Sequence, residues 1–212
     1  KSLSDGFKAF GIGLQNLHSV KSNYTFLTIS IMGIRQTPQF EISNAGSVFL
    51  SRRLGASKMA VLRELDDEDS LPFTIEITQK RILGGMKTDF VATDVTGFGL
   101  AEAMINLSER VGASNQIGLS NRHVVHEDVL SIPMSCFEAD GLLTDAFETS
   151  CPKSRVMALC TEFAGPTIFF VETDSVGSFK AEFLSLHGWE PLHIGSFEPK
   201  NSRAKVVVSW NG

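Results

Sequence analysis

Apolar and polar positions along this chain switch repeatedly between a two-residue period and a period of three to four, which predicts strands interleaved with helices. Residues 5–17 carry Phe7, Phe10, Leu14 and Leu17 on one stripe and read as a short helix, weakened by Gly11 and Gly13. Residues 18–20 and the β-branched run 25–34 predict a strand pair, or one long strand broken by Lys21-Ser22-Asn23 and closed by Gln36-Thr37-Pro38. Asn44-Ala45-Gly46 marks a turn before a strand over 47–50. Met59, Leu62 and Leu65 open a helix over 58–65, and Asp66-Asp67-Glu68-Asp69 ends it, because acids at a helix C-terminus oppose the dipole. Residues 74–86 fit neither period cleanly and read as a helix closed by Gly84-Gly85.

Residues 88–92 alternate like a strand, while Leu100, Met104, Leu107 and Val111 recur at helical spacing up to a C-cap at Gly112. Further strands are predicted over 116–119, 166–172, 192–197 and 204–210, the last two with an antiparallel look. Residues 121–163 read as short helices and loops. A helix over 175–186 presents Phe179 and Phe183 and stops at Gly188. The irregular interleaving favours an α/β sandwich, a mixed sheet covered by helices, over a doubly wound nucleotide fold.

One junction carries candidate chemistry. In Ala92-Thr93-Asp94-Val95-Thr96-Gly97-Phe98-Gly99-Leu100 a strand feeds a helix through one carboxylate and two glycines. Thr96 can cap the helix, Gly97 and Gly99 let a ligand approach the backbone, and the free N–H groups with the helix dipole favour phosphate oxygens. Asp94 can then hold Mg²⁺ against the same phosphates. The plainer alternative is a structural junction whose Asp only caps, as in many α/β proteins.

Composition narrows the classes. The 212 residues are 42% hydrophobic and 20% charged, a globular balance, with 16 Phe against a single Tyr. A net charge of −5 without Lys/Arg blocks argues against nucleic acid. No apolar run approaches the roughly 18–20 residues of a membrane span, and the start is no signal peptide, so a cytoplasmic chain is expected. A beginning at Lys1 rather than Met fits an excised domain, a processed chain or a fragment. Cys136, Cys151 and Cys160 match neither a disulfide framework nor a zinc site. His123 and His126 share a helical spacing but lack the partners of a zinc site.

The nine-residue junction resembles the signature of selenophosphate synthetases (selenide, water dikinases), within the superfamily that includes aminoimidazole ribonucleotide synthetase. His18-Ser19 sits where that family has Gly-Gly-His-Ser, and the strand ending Met32-Gly33-Ile34 resembles one ending in Thr-Gly. Leu50-Ser51-Arg52-Arg53-Leu54-Gly55 is similar to Leu-Thr-Lys-Pro-Leu-Gly. Gly188-Trp189-Glu190 through Ile194-Gly195 resembles the final helix, strand and Ile-Gly element. Departures stand beside these matches: Gln15-Asn16-Leu17 lacks the Gly-Gly before His18. Thr161-Glu162-Phe163-Ala164-Gly165-Pro166-Thr167-Ile168 replaces Asp-Pro-Gln-Thr-Ser-Gly-Gly-Leu.

The resemblance implies that residues 1–40 are the closing helix and strands of an N-terminal ATP-binding-type domain, and that 41–212 form the C-terminal α/β domain. It makes Asp94 an Mg²⁺ ligand, places Thr93, Thr96, Gly97 and Gly99 near ATP phosphates, and makes Arg52 and Arg53 secondary anion contacts. ATP and Mg²⁺ are the implied cofactors, and a homodimer formed through 25–34 is the implied partner. The family's reaction is Mg-ATP-dependent phosphoryl transfer from ATP to selenide. Its Cys or selenocysteine with a nearby Lys, and two further metal-binding aspartates, have no counterpart here. ATP carries about four negative charges and its phosphoryl transfer uses several positioned cations, which Asp94 alone does not supply. The expectation is therefore a chain incomplete or inactive by itself. The alternative is a noncatalytic binding or regulatory member of the superfamily. A cyclo-ligase like aminoimidazole ribonucleotide synthetase fits less well, because Phe98 matches the selenium branch.

Overall fold

The computed structural model describes residues 42–55, 85–95, 99–119, 147–149, 165–199 and 205–210, all within the compact unit Phe40–Gly212. The helices expected over 5–17 and 58–65, the strands over 18–20 and 25–34, and the candidates His18, Thr96, Gly97, His123 and His126 lie outside the described residues.

Strands β1 (Gly46–Leu50), β2 (Val91–Asp94), β3 (Ala113–Leu119), β4 (Phe147–Thr149), β5 (Thr167–Glu172), β6 (Leu192–Pro199) and β7 (Val206–Trp210) form one sheet in the order β2-β5-β1-β6-β3-β7-β4. β5 runs antiparallel to β2 and β1, and β6 runs antiparallel to β1 and β3. β7 lies parallel to β3 and β4. Helices α1 (Gly99–Val111) and α2 (Val176–His187) pack on opposite faces. This is the α/β sandwich with a mixed sheet that the patterning predicts.

The apolar run in β5 explains the layering. Ile168 and Phe170 join Leu100, Met104 and Leu107 of α1 in one core, while Phe169 and Val171 face Phe179 and Phe183 of α2 in the other. A strand covered on both sides has no polar alternation left to show. The Phe169 ring lies 5.3 Å from Phe90, 5.1 Å from Phe179 and 5.8 Å from Phe183. Each such ring contributes about 1.5–3 kcal/mol through burial, which gives these phenylalanines a physical role.

Three strands differ from the sequence reading. β2 begins at Val91 rather than 88, because the Lys87 and Thr88 amides donate to Glu182 of α2 (2.8 and 2.9 Å), and cross-strand pairing starts at Val91 opposite Phe170. β3 begins at Ala113 rather than 116. The buried Asn115 hid its alternation, and this polar side chain is held by the Ser108 hydroxyl, which itself donates to the Met104 carbonyl at 2.5 Å. A short strand, β4, lies in the stretch read as helices and loops, and pairs with β7. β6 and β7 run in opposite directions, but β3 stands between them.

Local chemistry fixes the remaining geometry. Gly188 ends α2 in a left-handed conformation and donates its amide to the Leu184 carbonyl at 2.8 Å. A Cβ at Gly195 would lie 2.1 Å from the Gln116 carbonyl oxygen, so only glycine lets β6 and β3 approach so closely. Arg110 of α1 donates to the Ala92 carbonyl at 2.9 Å and so covers part of the β2 edge. Glu172, at the far end of β5, accepts the Ser43 and Asn44 amides at 2.6 and 2.9 Å. Burial acts to raise its pKa, but the Ser43 and Asn44 hydrogen bonds outweigh burial and hold the carboxyl below its ordinary value. Among the described residues no helix is long and apolar enough to cross a membrane.

Candidate functional site

Because β5 runs antiparallel to both neighbours, its first residue meets the last residue of β2 and the residue following β1. Thr167 thus lies between Asp94 and Ser51. The Thr167 hydroxyl donates to Asp94 Oδ1 at 3.0 Å. The Thr167 amide donates to Ser51 Oγ at 2.9 Å, and the Ser51 amide returns a bond to the Thr167 carbonyl, also at 2.9 Å. Trp189, just past α2, donates its indole N–H to the Ser51 carbonyl at 2.8 Å. Thr167 is 6% exposed and Ser51 2%, whereas Asp94 is only half-buried. A partly accessible carboxylate therefore stands on a buried polar support.

The adjoining turn is fastened by main-chain bonds. Val95 donates to the Pro166 carbonyl at 2.9 Å, and Gly165 donates to the Val95 carbonyl at 2.8 Å. Although Gly165-Pro166-Thr167 departs from the polar glycine turn of the resemblance, it docks directly on the end of β2.

The predicted site residues divide between faces. Asp94 shares the Phe169 and α2 side with Ala92 and Thr167, while Thr93 alternates toward the α1 side with Val91. Gly99 opens α1 with φ 75°, a left-handed value that favours glycine and aims the helix start. Asp94 and Thr93 therefore stand together at the end of β2 on opposite faces of the sheet. Arg52 directly follows Ser51 and so stands at the same end of the sheet, half-buried. Its guanidinium reaches the Arg53 carbonyl at 3.4 Å, and the Arg53 side chain is exposed.

Behind Trp189 lies a buried titratable group. His187 is 8% exposed, and its two ring nitrogens have no hydrogen-bond partner among the described residues. Burial alone lowers its pKa from the ordinary 6.5. Its ring is 5.2 Å from that of Trp189, so this aromatic wall touches the residue that holds Ser51.

The donor set suits one mode of metal binding. Among the described residues there is no group of three or more His, Cys, Asp or Glu able to hold a metal ion. Mg²⁺ commonly uses one or two carboxylates together with substrate phosphates and waters. Asp94 fits that shared mode and not a cage made by protein alone. Thr167, Ser51 and Trp189 were missed from sequence because their roles come from strand neighbours far apart in the chain. The one available signal was polar Thr167 at the head of an apolar strand.

No protein-family model matches the sequence, and no curated protein matches it. Among solved structures, the fold is similar to a chain of the HypE–HypF complex, with TM-score 0.51 and 18% identity over 81% of this chain and 51% of that one. Hydrogenase maturation protein HypE gives 0.48 and 14% over 80% and 50%. Thiamine-monophosphate kinase from Stenotrophomonas maltophilia K279a gives 0.46 and 11% over 76% and 49%. The chain spans about half the length of these structures. At such identity the likeness concerns the fold alone, a mixed sheet with helices on its two faces.

Proposed function

We propose that this chain supplies one wall of a Mg-ATP site in a phosphotransferase related to selenophosphate synthetases. Asp94 is the metal ligand, and Thr93, Thr96, Gly97 and Gly99 lie near the phosphates, with Arg52 as a secondary anion contact. The observation that carries this reading is the half-buried Asp94 carboxylate, held by Thr167 at the end of β2. The sequence signature supports it, since the same nine residues include both the carboxylate and the helix start. Bound Mg²⁺ supplies charge neutralisation between phosphate oxygens. Asp94 orients that charge, and the glycine backbone leaves room for the phosphates.

The property proposed for this chain is binding; turnover needs cationic and nucleophilic groups beyond Asp94. Phosphoryl transfer to selenide is the reaction the resemblance implies for the complete site. Homodimerisation through 25–34 and a cytoplasmic location belong to the same reading, and concentration-dependent sedimentation tests the first. Calorimetry with ATP tests the central claim: the native chain binds in the presence of Mg²⁺, and Asp94→Ala abolishes binding. Unchanged binding by that variant overturns the assignment.

A specific observation favours a second reading, a noncatalytic regulatory member of the superfamily. The Gly-Gly of the family's turn is Pro166-Thr167 here, and the Thr167 hydroxyl already engages Asp94. Selenophosphate production from ATP and selenide by this chain would exclude it.

A further inference from the structure

We infer that Thr167, braced by Ser51, is a positioning residue that sets the Asp94 carboxylate for a divalent cation shared with phosphate oxygens. The inference rests on the reading of Asp94 above and adds the group that holds it.

A carboxylate only accepts hydrogen bonds, so the proton of the 3.0 Å contact belongs to Thr167 and fixes the direction of Asp94 Oδ1. A support is useful only if it is itself held, and Thr167 is. Its β-branched side chain is stiff about χ1, its amide and carbonyl both pair with Ser51, and it is buried. Ser51 in turn is tied through its carbonyl to the Trp189 indole. Two strands and the segment after α2 therefore converge on the orientation of one carboxylate. Where selenophosphate synthetases carry the last glycine of Thr-Ser-Gly-Gly, no side chain can make this bond. The device thus belongs to this chain, and the altered turn gains a use as a brace.

Pre-orienting the carboxylate lowers the cost of ordering it when a cation binds. Replacement of a hydrogen-bonding partner behind a metal ligand commonly lowers affinity by about 10–100-fold.

The experiment is titration of the 212-residue chain with Mn²⁺, with and without ATP, followed by electron paramagnetic resonance of the free ion. Thermal unfolding confirms that each variant is folded. The native chain is expected to bind Mn²⁺ only with ATP present, and Asp94→Asn to lose that binding. Thr167→Val, or Thr167→Ala if the valine does not fold, weakens binding by about tenfold or more, and Thr167→Ser restores it. Recovery with serine separates a hydroxyl role from simple packing. If Asp94→Asn loses binding while Thr167→Val binds as well as native, or more tightly, Thr167 does not position Asp94 and the inference is overturned. Tighter binding would mark the hydroxyl as a competitor for the carboxylate. Native-like binding by Asp94→Asn, or none by the native chain, overturns the Asp94 reading and the inference with it.

Discussion

The His187 imidazole lies against the Phe183 ring, with centroids 4.1 Å apart and planes inclined by 29°. One turn of α2 separates the two residues, so the stack is set by helical spacing, and the α2 C-terminus buries a titratable ring among aromatics.

That burial makes stability depend on pH with a defined sign. The folded pKa of His187 is lowered by desolvation, and among the described residues no charged group contributes to the shift, neither Lys180, Glu182 and Glu190 on its own segment nor Arg52 and Arg53 beyond β1. The unfolded chain therefore takes up the proton first. The His187 contribution is undiminished above about pH 6.5, the unfolded value, and is lost as pH falls from there through the lowered folded value. Urea unfolding at pH 7.5 and pH 5.5 checks this. The native chain is expected to lose more stability between these pH values than His187→Phe; equal losses would remove His187 as the cause.

Glu182 ties the segment before β2 to α2 by accepting the Lys87 and Thr88 amides and the Thr88 hydroxyl, the last at 2.8 Å. Burial acts to raise its pKa, but the Thr88 and Lys87 hydrogen bonds and the Lys87 charge together lower it. Its contribution is thus present above the ordinary carboxyl pKa and lost as pH falls through the lowered folded value. Glu182→Ala is expected to cost about 1–3 kcal/mol and to speed amide hydrogen exchange at residues 87 and 88. Native exchange rates at both amides would refute the tie.

Gly195 tests the close approach of β6 to β3. In Gly195→Ala the added carbon meets the Gln116 backbone, which cannot swing aside as a side chain end can. The expected cost is about 1–3 kcal/mol, read as a lower urea midpoint. An unchanged midpoint would show that the strands part without penalty.

The sequence and the structure agree most where a segment's own chemistry decides its form. Leu100, Met104 and Leu107 are buried on α1, Phe179 and Phe183 on α2, and Gly188 stops α2 as its spacing predicts. The start of β3 was hidden because Asn115 breaks the apolar alternation, and its partner Ser108 is on another element. The position of Asp94 at the end of a strand was legible. Its brace was not, since Thr167 and Ser51 are neighbours only through antiparallel pairing, and an indole from beyond α2 completes the set. Periodicity reports which side of an element faces inward, and it carries no information about which strand lies beside which.

The separation of Ser51 from its partners also sets when the site can exist. Thr167 is 116 positions away along the chain and Trp189 is 138. Contacts of such long loops form slowly, because the chain loses much freedom before they return any energy. During synthesis β1 emerges without either of its sheet neighbours, β5 and β6, and Asp94 before the Thr167 hydroxyl that bonds it. The brace therefore requires both Thr167 and Trp189 to have been made, and a carboxylate set early in the chain takes its fixed direction from residues set much later.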